Sequence, residues 1–212
     1  MIYKALVPVK SLASAKSRLA AYLTQNQRET LVLDMLQNVL EVLLDSRLLE
    51  QVSVVSPDMR VLELAEEWGA QALMEEVRGH NPALQAAAMK ELNAGTTALL
   101  TISADLPLLH PADIRALIER SLDHQVVLAA SRDRTGTNAI LMRPPLVLPY
   151  LFGPNSLQSY LQAARQKKLS NIIYNSVGLA LDIDTIDDLD DLYELQALSG
   201  EEKQYEICSS QV

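Results

Sequence analysis

Short apolar runs alternate along the chain with longer segments of helical periodicity. The apolar runs are four to eight residues long and are bounded by turn-forming residues, which is typical of buried strands. They occupy residues 2–9, 52–55, 70–74, 98–102, 126–130, 139–142 and 171–174. Because strands and helices alternate, the pattern predicts an α/β fold with three layers, in which helices cover both faces of a mixed, mainly parallel sheet.

The segments between the runs carry the end signals of helices. Gly69 is a C-cap for a helix over residues 59–68, and Asn81 can cap a helix that has Pro82 at its first position. Thr185 and Asp188 have the spacing of a capping box for a helix that ends at Leu198. Further helices are predicted over residues 27–44, from residue 111 and over residues 155–167.

Carboxylates follow two of the buried segments. Asp105 stands just beyond the run at 98–102, at the carboxyl end of a predicted central strand, where open α/β sheets bind ligands. Asp182 and Asp184 come after a second apolar stretch and would project to the same side of an extended chain. Such close like charges repel unless a cation lies between them. We therefore expect the two stretches together to hold a divalent metal; hydrated carboxylates on an edge strand are the alternative.

Basic residues follow the first strand. Lys10, Lys16 and Arg18 lie in a polar loop at the place where α/β nucleotide-binding proteins commonly bind phosphates. The loop contains no glycine, so it is neither a Walker loop nor a dinucleotide fingerprint. A solvated, partly helical surface segment explains the same residues and stays the alternative.

Three other segments offer backbone amides or hydroxyl groups to anions. Thr137 follows Gly136 in a tight bend between two strands, and Gly153 and Ser156 precede a predicted helix. A hairpin turn and ordinary helix capping are the alternatives for these residues. The segment from Gly79 to Asn81 is the candidate for contact with a nucleotide, with helix capping as the alternative, and His80 is left out of the catalytic set.

Composition narrows the class of protein. The chain has 212 residues, a formal net charge of −9 and a single cysteine, Cys208. The acidic balance argues against non-specific binding to nucleic acid, and no apolar run approaches the roughly 18 residues that cross a membrane. The first residues do not read as a signal peptide, and one cysteine fits a reducing cytoplasm. We expect a single domain over residues 1–198 and a polar C-terminal tail over residues 199–212.

Five motifs together resemble the 2-phospho-L-lactate/phosphoenolpyruvate guanylyltransferase family of coenzyme F420 biosynthesis. They lie in the family's order across residues 2–195, namely at 7–10 with 15–19, 103–107, 136–139, 152–156 and 181–185. The resemblance implies a fold like that of nucleotide-diphospho-sugar transferases. It also implies the reaction of GTP with a small phosphorylated C3 acid, which yields pyrophosphate and a GDP-linked acid. The product would pass to the transferase that makes dephospho-F420.

The resemblance also assigns roles to residues. It implies that Mg2+ is the cofactor and that its ligands are three aspartates, Asp105, Asp182 and Asp184. It places the phosphate of the acid near Thr137, Gly153 and Ser156, and it turns the catalytic cations Lys10, Lys16 and Arg18 toward the GTP phosphates. A phosphate monoester is already largely ionised at neutral pH, so this chemistry requires no catalytic histidine.

Several alternatives stay open at this stage. The acid is phospholactate, phosphoenolpyruvate or phosphoglycerate, and Arg132 and Arg134 lie in a stretch that varies in the family and affects this choice. The chain could be another nucleotidyltransferase of the same fold, such as a molybdopterin guanylyltransferase or a sugar-phosphate nucleotidyltransferase, or a non-catalytic nucleotide sensor. The oligomeric state is open, with a homodimer as one option. We expect Asp105→Asn to remove most activity at little cost in stability, because it relieves repulsion.

Overall fold

The computed structural model describes residues 1–199, without the side chain of Ser199, and it contains seven strands and seven α-helices. The strands are β1 (Tyr3–Pro8), β2 (Gln51–Ser56), β3 (Gln71–Met74), β4 (Ala98–Ile102), β5 (Val126–Ala130), β6 (Thr137–Met142) and β7 (Asn171–Tyr174). The helices are α1 (Gln25–Asp45), α2 (Met59–Glu67), α3 (His80–Asn93), α4 (Pro111–Ser121), α5 (Ser156–Gln166), α6 (Val177–Ala180) and α7 (Ile186–Ser199). The predicted tail over 199–212 and Cys208 lie outside the described residues, except for the backbone of Ser199.

The strands form one sheet in the order β3-β2-β1-β4-β6-β5-β7. Strand β6 runs antiparallel to both of its neighbours, and every other pair is parallel. The chain leaves β1 toward β2 on one side and returns from β3 to β4 on the other side. A crevice therefore opens at the carboxyl ends of β1 and β4, where α/β sheets of this kind bind ligands.

Helices cover both faces of the sheet. Helices α1, α2 and α4 pack on one face with side chains such as Leu36, Leu62 and Leu117, while α3 and α5 pack on the other face with Leu84 and Tyr160. Successive residues of the central strands alternate between the two cores, so both faces of these strands are apolar. This confirms the predicted three-layer, mainly parallel architecture.

A third, smaller core fixes the last helix beside the crevice. Leu31 and Met35 of α1 pack against Leu189 and Leu192 of α7, and Ile183 joins this cluster from the segment between α6 and α7. Because Ile183 is fully buried, the residues on either side of it, Asp182 and Asp184, are held at a defined place. In the described part of the chain, no helix combines the length and the hydropathy that a membrane span requires.

Two local predictions are wrong. Helix α3 begins at His80 with Gly79 as its N-cap, so Asn81 is the second helical residue rather than the cap. Gly79 has a φ of 110°, a conformation that glycine adopts easily and that other residues rarely adopt. The apolar stretch before Asp182 is not extended throughout, because residues 177–180 form one helical turn that the hydroxyl of Ser176 caps by accepting from the Leu179 N–H.

Candidate active site

A cavity of about 430 Å³ opens at the crevice between β1 and β4. Its walls come from the loop after β1, the loop after β4, the first residue of β6 and the segment before α7. The N-terminal end of β6 reaches the same edge as the carboxyl end of β4 because these two strands are antiparallel. Residues far apart in the sequence therefore face one space.

Lys16 lies at the centre of the charged part of this cavity. It joins two short 3-10 turns, at residues 12–14 and 17–19, and has a left-handed backbone conformation with a φ of 48°. Its Nζ lies 2.5 Å from Oδ2 of Asp105 and 3.0 Å from Oδ1 of Asp184. Burial works to lower the pKa of Lys16, but the charges of Asp105 and Asp184 and the hydrogen bonds to them outweigh burial and raise it.

Asp105 is held as a carboxylate by its neighbours. The hydroxyl of Ser103 donates to its Oδ1 at 2.5 Å, and Lys16 donates to its other oxygen. Burial works to raise the pKa of Asp105, but the charge of Lys16 and the hydrogen bonds from Lys16 and Ser103 outweigh it and lower the pKa. The negative charge of Asp105 is therefore stabilised in this fold.

Asp182 is in the opposite electrostatic situation. Burial, followed by the charge of Asp105, raises its pKa to about 6, although Asn138 Nδ2 donates to its Oδ1 at 2.9 Å. The same Nδ2 group lies within hydrogen-bond distance of the carbonyl oxygens of Leu179 and Ala180. Asn138 thus fixes the chain that leads into Asp182, while the carboxylate itself has no cation as close as the one beside Asp105.

The three aspartates line the cavity together, and their oxygen ligands suit Mg2+, which prefers hard donors. Among residues 1–199, however, no group of three or more His, Cys, Asp or Glu side chains is arranged as a metal cage. The ammonium group of Lys16 lies between Asp105 and Asp184. The donor set fits the usual way that Mg2+ binds with a nucleotide, through one or two carboxylates plus phosphate oxygens and waters.

Lys10 and Arg18 also line the cavity, at its exposed rim. Arg18 Nη1 lies 3.5 Å from Oδ2 of Asp184, and its side chain is 72% exposed, so this pair is weak. Lys10 lies close to His80, whose pKa is lowered first by burial and then by the charge of Lys10. Both cations are accessible to an anion that enters from solvent.

Thr137 is the one predicted substrate residue that lines the cavity directly. Thr137 is only 7% exposed, and its Oγ1 has no hydrogen-bond partner in the described structure. Buried hydroxyl groups are nearly always paired in native proteins. An unpaired one in a cavity wall is therefore suited to an oxygen of a ligand.

Gly153 and Ser156 lie behind the wall rather than in it. Phe152 lines the cavity, Gly153 follows it with a φ of 133°, and Ser156 begins α5 with its N–H 3.1 Å from the carbonyl oxygen of Gly153. Ser156 is 2% exposed. Asn155 occupies the cap position of α5 but makes no side-chain cap bond. Gly153 is thus one residue beyond the cavity lining, and Ser156 is four residues beyond it.

The segment predicted to contact a nucleotide is divided in the structure. His80 lines the cavity, whereas Gly79 and Asn81 do not. The N–H of Gly79 donates to Oε1 of Glu75 at 3.2 Å, and both side-chain groups of Asn81 bind the backbone of Phe152. The sequence does not predict a role for His80, because a lone histidine is rarely catalytic, and it predicts no separate role for Phe152.

The two arginines expected to affect the choice of acid point elsewhere. Arg132 pairs with Asp191 of α7, and Arg134 donates to the side-chain oxygen of Asn175 at 3.4 Å. Neither arginine lines the cavity. Any effect of this pair on the choice of acid would therefore be indirect, through the position of the loop before Thr137.

Comparison with known proteins agrees with this fold and identifies a family. The family model described as guanylyl transferase CofC like matches residues 3–206. The chain is 43% identical over 186 residues to phosphoenolpyruvate guanylyltransferase of Rubrobacter xylanophilus. This match covers 87% of this chain and 90% of the relative. It is 28% identical over 212 residues to 2-phospho-L-lactate guanylyltransferase of Methanobrevibacter ruminantium. This match covers 95% of this chain and 88% of the relative.

A solved structure from Desulfovibrio desulfuricans G20, described as a nucleotide-diphospho-sugar transferase, has a TM-score of 0.80 to this chain. The match has 17% sequence identity and covers 99% of this chain and 92% of that one, so it shows the shared fold. The family model matches residues 3–206, and the match to the Rubrobacter relative covers 87% of the chain. The chain belongs to the CofC-like guanylyl transferase family of nucleotidyltransferases.

Proposed function

We propose that the protein transfers the GMP unit of GTP to the phosphate of a small phosphorylated C3 acid, in coenzyme F420 biosynthesis. An oxygen of the acid's phosphate attacks the α-phosphorus of GTP, the bond from that phosphorus to the bridging oxygen breaks, and pyrophosphate leaves. The product is a GDP-linked acid. Family membership and the names of the relatives support the guanylyl transfer.

The observation that carries the proposal is the convergence of charges of both signs in one cavity. Lys16 and Arg18 bring cations to the carboxylates of Asp105 and Asp184, with Asp182 beside them. A phosphoryl group in transfer carries several negative charges, so alignment and charge neutralisation contribute most of the catalysis. Lys16, Arg18 and Lys10 can then bind the triphosphate and stabilise the charge that develops on pyrophosphate.

Mg2+ is the proposed cofactor, with Asp105, Asp182 and Asp184 as the residues that would hold it. When bound, it would neutralise charge on the phosphate oxygens and help to orient them. Burial, followed by repulsion from Asp105, raises the pKa of Asp182, and a cation at this place would relieve that repulsion. No metal cage is preformed among residues 1–199, which fits an ion that arrives with the nucleotide.

The acid is proposed to bind at the wall formed by Thr137 and Phe152, with the segment from Gly153 to Ser156 directly behind it. The unpaired hydroxyl of Thr137 can donate to a phosphate or carboxylate oxygen. Gly153 leaves open space where a side chain would stand, and nothing lies within 4 Å of its would-be Cβ. Phosphoenolpyruvate and 2-phospho-L-lactate, which the relatives are named for, both carry a carboxylate and a phosphate and differ in the carbon between them.

Three points about the cellular setting stay proposals. A GDP-linked acid is an activated group donor, and we propose that this chain hands it to the transferase that makes dephospho-F420. The cytoplasmic location stays a prediction from the sequence, and a homodimer stays one option for the oligomeric state.

The test is release of pyrophosphate from a panel of nucleotides and acids. The protein is incubated with Mg2+, one of GTP, ATP, CTP or UTP, and one of 2-phospho-L-lactate, phosphoenolpyruvate or 3-phosphoglycerate. We expect pyrophosphate with GTP and at least one acid, and none when the acid is omitted. Release with CTP or UTP instead would identify another nucleotidyltransferase of this fold, and no release in any mixture would contradict the proposal.

A further inference from the structure

The side chain of Asn81 bridges α3 and the segment before α5 by a two-point contact. Its Nδ2 donates to the carbonyl oxygen of Phe152 at 2.9 Å, and its Oδ1 accepts from the N–H of the same residue at 3.0 Å. The two residues are 71 positions apart in the sequence. One amide side chain thus satisfies both backbone groups of Phe152, in a geometry that resembles one rung of a sheet.

The ring of Phe152 lies in an aromatic cluster at the cavity wall. Its centroid is 5.4 Å from that of His80 and 5.6 Å from that of Tyr160, both edge to face, and 5.9 Å from that of Tyr150 in a stacked arrangement. Tyr150 shares a hydrogen bond of 2.6 Å with Thr101 of β4. Such aromatic pairs add modest, geometry-dependent stabilisation. The ring of Phe152 therefore contacts neighbouring rings in several directions. Among the side chains of residues 1–199, only Asn81 binds the backbone of Phe152.

The cavity wall depends on this backbone contact. His80 and Phe152 line the cavity, whereas Asn81, which holds the backbone of Phe152, does not. Loss of the amide would leave the N–H and the carbonyl oxygen of Phe152 without a protein partner, and partly buried backbone groups without partners are costly. The chain from Phe152 to Ser156 would then have to move toward water to regain hydrogen bonds.

We propose that Asn81 is a positioning residue, which sets the place of the Phe152–Ser156 segment and thereby the binding of the phosphorylated acid. The effect on the acid rests on the function proposed above, whereas the effect on the segment rests on the geometry alone. This role differs from direct contact with the nucleotide, which the sequence suggested for Asn81. Both amide groups of Asn81 already bind protein, and its side chain is outside the cavity lining.

Three variants test the proposal. Asn81→Ala removes both contacts to Phe152. Asn81→Asp keeps the acceptor for the N–H but loses the donor to the carbonyl oxygen, and it carries the test if the alanine variant does not fold. Asn93→Ala is the matched control, because Asn93 is exposed in the last turn of the same helix.

The first readout is hydrogen–deuterium exchange of the ligand-free protein. We expect the amides of peptides covering residues 150–157 to exchange at least about tenfold faster in Asn81→Ala, with an intermediate effect in Asn81→Asp and none in Asn93→Ala, since a lost pair of hydrogen bonds lowers the cost of local opening. Unchanged exchange in this segment would overturn the proposal. This readout needs no catalysis, so it decides the inference even if the proposed function fails.

The second readout separates the two substrates. We expect Asn81→Ala to raise KM for the acid about tenfold with KM for GTP changed less than about twofold, because each hydrogen bond lost from the positioned segment is worth about a factor of ten or less. A rise in KM for GTP with an unchanged KM for the acid would overturn the proposal in favour of a nucleotide contact. A fall in kcat that only tracks the folded fraction, with both KM values unchanged, would overturn it in favour of a purely structural role.

Discussion

The ammonium group of Lys16 lies 2.5 Å from a carboxylate oxygen of Asp105 and reaches Asp184 as well, at 3.0 Å. One cation of the chain thus binds two of the three carboxylates that we propose as metal ligands. The acidic groups therefore converge around a side-chain ammonium group, and residues 1–199 contain no metal cage. A divalent cation that binds here would compete with Lys16 for the same oxygens, and the released ammonium group would be available to phosphate.

Lys16→Met should therefore strengthen the binding of a divalent cation in the absence of nucleotide. The substitution removes a positive charge within hydrogen-bond distance of two carboxylates, which we expect to raise affinity by about tenfold or more. The measurement is a titration with Mn2+ followed by electron paramagnetic resonance of the free ion. Arg18→Met is the control, because Arg18 is mostly exposed and its pair with Asp184 is longer, so its effect should be smaller. Equal or weaker binding by Lys16→Met would count against the proposed site.

Asp105→Asn and Asp182→Asn should differ in stability. Neutralising Asp105 deprives buried Lys16 of its nearest partner, so we expect the free energy of unfolding to fall by about 1–3 kcal/mol. Neutralising Asp182 removes a carboxylate whose charge is disfavoured, while Asn138 can still donate to the new side-chain oxygen, so stability should be unchanged or higher. Urea denaturation without metal measures both. The reverse order of stabilities would contradict the electrostatic assignment.

That comparison corrects an expectation drawn from the sequence. Repulsion among three aspartates suggested that Asp105→Asn would cost little stability, but the structure places Lys16 beside Asp105 and lowers the pKa of its carboxyl group. The carboxyl group with a raised pKa is that of Asp182 instead, because of burial and then the charge of Asp105. The expected loss of activity in Asp105→Asn stands as a prediction.

Thr137→Val should weaken binding of the acid without weakening the fold. The buried hydroxyl of Thr137 has no partner in the described structure, so replacing it with a methyl group of similar size should keep or raise the melting temperature. We expect KM for the acid to rise about tenfold, because one hydrogen bond to a charged group is lost. Thr137→Ser keeps the hydroxyl and should keep KM near that of the wild type.

Thr101→Val is a matched control for the same change. Thr101 is also buried in a strand, but its hydroxyl shares a 2.6 Å hydrogen bond with Tyr150. This variant leaves the Tyr150 hydroxyl unpaired and should lower stability by about 1–3 kcal/mol. Equal stability losses in the two valine variants would show that the hydroxyl of Thr137 has a partner within the protein.

The stability of the loop before Thr137 should depend on the ionised form of Asp133. Its pKa is lowered to about 2, first by the hydroxyl of Ser131 and then by the side chain and N–H of Thr135. A lowered pKa means that the contribution to stability is complete above the ordinary value of 3.8 and is lost as pH falls toward 2. Carbon-detected NMR titration measures the pKa directly. Ser131→Ala should raise it toward 3.8, and an unchanged value in that variant would contradict the assigned cause.

Most of the fold follows from patterns that are local in the sequence. The run at 98–102 is apolar at every position except Thr101, and it forms a strand buried on both faces, as such a run predicts. Thr185 and Asp188 form the expected reciprocal cap at the start of α7. The start of α3 was misplaced because a glycine cap with a positive φ leaves no side-chain signal, whereas Asn81 followed by Pro82 carries a strong one.

The site was harder to predict because its contacts join distant residues. The position of Asp105 at a strand's carboxyl end is a topological consequence that the sequence carries, and the resemblance to a family placed the other aspartates with it. Lys16 pairs with Asp105, which is 89 positions away, and with Asp184, which is 168 positions away. Neither pairing has a local signature in the sequence. The contact between Asn81 and Phe152 is equally invisible, because an asparagine near a helix start looks the same whether it caps its own helix or holds another segment.

The most direct test of the account is identification of what the protein makes from GTP and an acid. The protein is mixed with GTP, Mg2+ and phosphoenolpyruvate or 2-phospho-L-lactate, and the products are followed by phosphorus NMR and mass spectrometry. We predict a GDP-linked acid and pyrophosphate in equal amounts, with most of both products lost in Asp105→Asn. Unchanged GTP with both of these acids and with 3-phosphoglycerate, or release of GDP and phosphate without a linked product, would contradict the proposed guanylyl transfer.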